Sequence, residues 1–303
     1  MKMKRIRRFS SLYLMMIPGL IYLLINNYIP LAGLQLAFKK FKYAEGIWNS
    51  PWVGFKNFAF LFKTNDAWIL FRNTIGYNLL FLFINIVFAI FVAVILNEVK
   101  SRFINKLSQT LILVPFLLSY VVIGYIIYAF LGQNSGMINN SILKPLGIEG
   151  ISWYTKPKYW PLILTIVQAW KSFGYNSIIY YATIIGFDKG LYEAAAVDGA
   201  GTSKRIWKIT IPLLKPTVII LTLMSIGRMF YSDFGLFFQV PMNSGMLQEV
   251  TTTIDTYVYR GLMESNDIGR AAAAGFLQSI LGFVTVLVAN HIVRRVESEN
   301  ALF

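Results

Sequence analysis

Residues Leu70 to Leu96 read LFRNTIGYNLLFLFINIVFAIFVAVIL, a run with a single formal charge, Arg72. As a helix it would span about 40 Å at 1.5 Å per residue, more than the roughly 30 Å hydrocarbon core of a bilayer. Five further stretches are long and apolar enough to cross, giving spans at 12–38, 70–96, 107–131, 160–187, 216–238 and 271–293. The composition agrees. Of 303 residues 56% are hydrophobic and 14% charged, against roughly 25% charged in an average soluble domain. The mean hydropathy is +0.57. A soluble chain of this size could not hide so much apolar surface, so the bilayer is its solvent. With no cysteine there is no disulfide framework or thiolate metal site, and a single histidine, His291, leaves no zinc cluster.

The net charge of +14 would point to nucleic acid in a soluble protein. Here it is read against the membrane, and no nucleic acid is expected as a partner. With the N-terminus inside, fifteen Lys and Arg fall in inside segments and nine in outside loops. This places both termini in the cytoplasm. The first span follows Lys2, Lys4, Arg5, Arg7 and Arg8 and is too long for a signal-peptide core, so it is read as retained. Trp48, Trp52, Trp68, Trp153 and Trp160 crowd the outer boundary, where amphipathic rings anchor at the headgroups.

Between spans four and five, residues 188–215 form a cytoplasmic loop. Glu193 to Val197 is alanine-rich and of high helix propensity, and Asp198-Gly199 breaks it because glycine tolerates the positive φ of a sharp helix end. Thr202 or Ser203 is placed to cap a second helix through Ile209, before Pro212 and Pro216 return the chain to the bilayer. The small side chains of Ala194, Ala195, Ala196 and Ala200 allow another backbone to approach, and Glu193 and Asp198 offer charged hydrogen bonds at the rim. A helix–turn–helix of this kind is built as a docking knob rather than a bare connector.

Glu193-Ala194-Ala195, Asp198-Gly199-Ala200 and Ile209-x-Ile211-Pro212 together resemble the cytoplasmic loop of bacterial binding-protein-dependent ABC importer permeases, with Ile211 where leucine is commoner. Tyr28-Ile29-Pro30, Ser50 to Phe55, Asn97-Glu98-Val99 and Asp255 to Arg260 resemble, in this order, the maltose-type carbohydrate family. Within it they fall closest to the subgroup for oligosaccharides released from polysaccharides or glycans. The resemblance implies an all-α integral membrane protein with six transmembrane helices, one permease domain over residues 1–303. The fold would be that of a type I ABC importer permease with a helix-turn-helix coupling loop. Its partners would be a second six-span permease in a heterodimer, a cytoplasmic ABC ATPase dimer and an extracytoplasmic solute-binding protein, in some systems a lipoprotein. Glu193, Ala194, Ala195, Asp198, Gly199 and Ala200 would seat on the ATPase, and the chain would sit in the bacterial plasma membrane among its lipids. No G-x-x-x-x-G-K-[ST] phosphate loop is present. ATP and magnesium would therefore belong to the partner ATPase, and this chain would bind no cofactor and be no enzyme.

A charge near the bilayer centre costs at least about 2.5–3.5 kcal/mol on insertion scales, so each polar residue at depth asks for a reason. Gln168, Lys171 and Tyr175 follow i, i+3, i+7, with Trp170 and Asn176 nearby; in span five Ser225, Arg228, Tyr231 and Ser232 likewise share a face, with Asp233 one residue further round. These side chains suit a sugar path, since amides and charges meet hydroxyls and rings meet C–H faces. Interhelical glue is the alternative, with Asp233 against Lys171 or Arg228. Lys171 and Arg228 are the side chains most expected to face the path. A membrane enzyme would need a nucleophile–base pair that the chain lacks, and a secondary transporter would need repeats and a coupling carboxylate at depth. A permease for a non-sugar solute is the nearer alternative.

Overall fold

A computed structural model describes residues 9–296, which are helical with short connecting loops and a single isolated β-bridge, Lys39 to Trp52. The principal helices are α1 (Ser10–Leu23), α2 (Asp66–Glu98), α3 (Arg102–Leu117), α4 (Tyr120–Leu131), α5 (Trp160–Ile185), α6 (Lys189–Val197), α7 (Thr202–Ile226), α8 (Phe234–Phe238), α9 (Ile254–Met263) and α10 (Ile268–Val296). The chain divides into two compact units, Met1–Thr64 with Val258–Leu277, and Asn65–Tyr257 with Gln278–Phe303.

In the first unit α1 continues through wider and tighter helical turns to Phe38, making one apolar stretch from Leu12 to Phe38. Lys39 then ends the helix and is almost wholly buried, 2% exposed. Its ammonium donates to the carbonyls of Ile47 (2.9 Å) and Trp48 (2.8 Å) and lies 4.9 Å from the Trp52 ring. The Asn57 amide donates to the carbonyls of Ala37 and Lys39. The Lys39–Ala67 loop is thereby ordered as far as this unit extends, with charge burial repaid by carbonyl acceptors. The alanine run of α10 packs tightly here: Ala271 and Ala273 are fully buried, and a Cβ on Gly261 would lie 2.8 Å from the Ala271 methyl.

In the second unit α2 and α5 make the most extensive helix pairing. Small residues allow it: Ala89 and Ala93 of α2 are fully buried beside Tyr180 and Ile184 of α5 and Leu214 of α7. A second cluster, including Tyr77, Phe81, Trp160 and Phe237, fills the other end. Where α5 meets α3, a Cβ added to Gly174 would fall on the Ile112 carbonyl.

Four helices among the described residues are long and apolar enough to cross a membrane: Leu12–Phe38, Asp66–Glu98, Thr202–Ile226 and Ile268–Arg295. The expected third span, 107–131, is not continuous. It breaks between α3 and α4, which are bent by 94°, and becomes a fifth span if the pair counts as one. Pro115 removes a ladder N–H near the end of α3, Leu118 and Ser119 are extended, and the Ser119 hydroxyl caps α4 through the Val122 N–H at 3.3 Å. The expected fourth span forms α5, with length enough to cross, but its polar residues keep it below the apolarity of the others.

The expected fifth span, 216–238, is the larger correction. Its helix starts at Thr202, inside the expected 188–215 loop, and stops at Ile226. Pro212 and Pro216 do not turn the chain back. The N–H missing at Pro212 is accommodated by a π-type turn at Ile206–Thr210, and the helix runs on through both prolines. Beyond Ile226 the chain unwinds until Asp233 caps α8 by accepting the Gly235 N–H at 3.0 Å. Replacing Gly174 by valine should overpack the α3–α5 contact at backbone, which admits little relief. A loss of about 1–3 kcal/mol, read as a lower melting temperature of the detergent-purified protein, is the expected outcome.

Candidate functional site

The interruption after α7 opens a cavity of about 530 Å³ in the second unit. From Lys215, the last basic residue of the loop, to Ile226 is about 17 Å of helix, which sets the unwound residues at membrane depth for a span entered at Lys215. Irregular backbone is tolerated there only where it is buried in protein or lines a cavity. The open backbone groups are in fact satisfied. Asn78 of α2 donates to the carbonyls of Met229 (2.8 Å) and Tyr231 (3.0 Å), and Gln278 of α10 donates to Phe230 (2.8 Å). Asp255 accepts from the N–H (2.7 Å) and hydroxyl (2.8 Å) of Ser232.

Gln168, Asn176, Arg228, Tyr231 and Asp233 all line this cavity. Trp170, Lys171 and Tyr175 do not line it. On α5 the cavity row is Gln168, Asn176 and Tyr180, an i, i+8, i+12 series, whereas Lys171 and Tyr175, at i+3 and i+7 from Gln168, do not share it. Tyr175 stacks on Phe116 of α3 with centroids 4.7 Å apart, and Trp170 is 38% exposed. The Lys171 ammonium donates to the carbonyls of Phe116 (2.9 Å), Leu118 (2.5 Å) and Pro115 (3.4 Å) and lies 4.8 Å from the Tyr120 ring. These carbonyls lie at the end of α3, where the Pro115 one also accepts the Leu118 N–H at 3.3 Å and a cation meets the negative end of the helix dipole.

Arg228 and Asp233 differ in the same way. Asp233 caps α8 and lies close enough to Lys171 and Tyr120 to act on both electrostatically. Arg228 has no side-chain hydrogen bond or ion pair among the described residues, and its guanidinium is left to the cavity. The Gln168 amide oxygen accepts from the Tyr120 hydroxyl at 2.8 Å. Asn78, Phe81, Asn85 and Ile86 supply the α2 side of the cavity, and Tyr180 and Phe234 add rings. The seven-residue spacing of Asn78 and Asn85 in an otherwise apolar span was the sequence signal for that wall. Tyr180 and Phe234 carried none.

In the 188–215 loop, Asp188 caps α6 by accepting the Gly190 N–H at 2.9 Å. The far end closes as a Schellman turn, with Gly199 N–H to Ala196 O at 3.1 Å and Ala200 N–H to Ala195 O at 2.8 Å, and Gly199 at φ +74°. Gly201, not Thr202 or Ser203, stands at the start of α7 without a side-chain cap. Glu193, Ala194, Asp198 and Gly199 are exposed, Ala195 and Ala200 half-buried, and Val197 is 88% exposed. The Tyr192 and Thr210 hydroxyls, 3.0 Å apart, tie α6 to the start of the span. His291 lies near the end of α10 beside Arg294 and is exposed. No group of three His, Asp or Glu able to hold a metal occurs among the described residues.

The chain belongs to the family described as binding-protein-dependent transport system inner membrane component, which matches residues 67–298. The polygalacturonan/rhamnogalacturonan transport system permease protein YteP of Bacillus subtilis (strain 168) is 32% identical over 95% of this chain and 89% of its own. Among solved structures, a bacterial ABC transporter involved in the import of the acidic polysaccharide alginate superposes with a TM-score of 0.88 at 32% identity, covering 97% of this chain and 98% of that one. A bacterial alginate transporter in complex with an alginate pentasaccharide-bound periplasmic protein gives 0.86 at 31% identity, covering 97% of both chains. The chain is thus a multi-pass membrane permease subunit and not an enzyme; in such systems the ATPase is a separate subunit, and a second permease and a solute-binding protein complete the assembly.

Lys171 and Arg228 separate in a stability measurement. Lys171→Met removes charge-assisted bonds worth about 1.5–3 kcal/mol each and should lower the melting temperature of the purified chain. Arg228→Met, with no side-chain bond to lose among the described residues, should stay within about 0.5 kcal/mol.

Proposed function

We propose that this chain is the permease subunit of an ATP-driven importer for an oligosaccharide, and that the cavity beside the α7 interruption is part of the cargo path. One observation carries this reading: amides, hydroxyls, rings and a free guanidinium converge on one cavity at membrane depth. Hydroxyl-rich cargo is matched by such donors and acceptors, and its C–H faces by Phe81, Tyr180, Tyr231 and Phe234. The relatives support the cargo class, since YteP is described as a polygalacturonan/rhamnogalacturonan permease and the solved transporters handle alginate.

In this reading the chain crosses the membrane six times with both termini cytoplasmic. The bent α3–α4 pair makes one of the crossings and polar α5 another. It pairs with a second, different six-span permease, and α6 is the coupling helix. Glu193, Ala194, Ala195, Asp198, Gly199 and Ala200 seat in a groove of an ATPase dimer that holds ATP and magnesium, this chain binding no cofactor itself. A solute-binding protein outside the membrane, a lipoprotein in a cell with a single membrane, delivers the sugar. The arrangement favours transmission: α7 runs without a break from the end of the coupling turn to the edge of the cavity.

Gly199→Pro sets a ring that requires φ near −65° where the turn needs +74°, and Glu193→Lys inverts a charge at the docking face. Both variants should insert normally. In proteoliposomes holding the whole importer, each should lower ATPase stimulation by the loaded binding protein at least tenfold. Wild-type stimulation in both would remove α6 from the coupling path.

A further inference from the structure

Two charged side chains line the cavity, and only one has a partner among the described residues. Asp233 caps α8 and shares its field with Lys171 and Tyr120. Its carboxylate is therefore already engaged, with the Gly235 N–H bonded to it at 3.0 Å. Arg228 stands two residues past the end of α7, with Ser225, Tyr231 and Ser232 beside it in the lining. Its backbone is held, since the Arg228 N–H donates to Ser225 O at 3.0 Å and its carbonyl accepts from the Tyr231 N–H at 2.9 Å. The side chain is therefore projected from a fixed base into a polar space where nothing among the described residues answers it. A permanent cation at membrane depth is costly unless water or an anion meets it. Lysine elsewhere in the same unit shows the alternative: Lys171 is clamped on carbonyls and serves packing.

We propose that the cargo carries a carboxylate, as a uronic acid residue does, and that Arg228 is the specificity-determining residue that reads it. This rests on the cavity being the cargo path. A guanidinium grips a carboxylate through two parallel N–H bonds, so it fixes orientation as well as charge. The amides of Asn85, Gln168 and Asn176 across the cavity then meet the neighbouring hydroxyls.

The complete importer, purified with its binding protein and reconstituted in proteoliposomes, is offered size-matched pools of neutral, uronate-containing and sulfated oligosaccharides, and lumenal contents are read by mass spectrometry. Uptake should come from the uronate pool. The oligosaccharide recovered is then titrated against detergent-purified importer free of binding protein. Its affinity should fall at least tenfold in Arg228→Gln and less in Arg228→Lys, while its carboxyl-reduced form binds wild type and Arg228→Gln equally. Uptake of neutral or sulfated saccharides in its place, or equal loss of both forms in Arg228→Gln, overturns the carboxylate proposal and leaves the saccharide path standing. Uptake from none of the pools overturns the path itself.

Discussion

Every peptide group inside a bilayer has to find its partner within the protein, and this chain interrupts two of its spans. The second unit is organised around answering those interruptions. After α7, Asn78 and Gln278 reach in from α2 and α10 to take up three carbonyls, and Asp255 takes the Ser232 N–H. Between α3 and α4, Lys171 reaches in from α5 to take up three more. Each supporting side chain sits on a helix that must be in register for the reach to work. The breaks thus fix the relative placement of helices as much as the apolar packing does, because an unsatisfied carbonyl in hydrocarbon costs several kcal/mol while one misplaced methyl costs about one.

The two breaks end differently, and the difference assigns their roles. The α3–α4 break is plugged by a long cation and an aromatic ring, with Tyr175 stacked on Phe116 alongside. Little polarity is left to face anything else. At the α7 break the supports bind mainly backbone, and the side chains of Arg228, Tyr231 and Asp233 line the cavity. Unwinding a helix there brings side chains from consecutive positions onto one surface, which a regular 100° step would scatter around the cylinder.

Much of this was legible in the sequence. Long apolar runs announced the membrane and most helix positions, and Asp198-Gly199 announced the sharp turn, because a positive φ has few residues to choose from. The errors share one cause. A periodicity argument assumes that the helix continues, and it placed Ser225, Arg228, Tyr231 and Ser232 on one face of a span that ends at Ile226. Nothing local marks that end, since Gly227 is a weak signal and no proline follows it. The break is specified by Asn78, Asp255 and Gln278, far away in the chain. Lys171 was misplaced for a related reason: the cost of burying a lysine shows that it has an acceptor, and cannot tell a carbonyl from a ligand. The seemingly decisive prolines of the loop misled in the opposite sense, because a π-type turn absorbed Pro212 without ending the helix.

The longer α7 changes how the two functional ends relate. Had the chain re-entered the membrane at Pro216 through a flexible turn, motion of the Glu193–Ala200 knob would have dissipated in the linker. Instead the Schellman turn at Gly199 leads within three residues into a helix that runs to the cavity, and the Tyr192–Thr210 contact braces α6 against its first turns. A hydrogen-bonded helix carries displacement along its axis with little compression, so rigidity is wanted between the ends and compliance at one of them. The unwound residues after Ile226 supply the compliance, and they are also the residues that line the cavity. In the proposed function, coupling and cargo contact would therefore meet at one backbone interruption, and the polar supports of that interruption would set how far it can move before a carbonyl loses its partner.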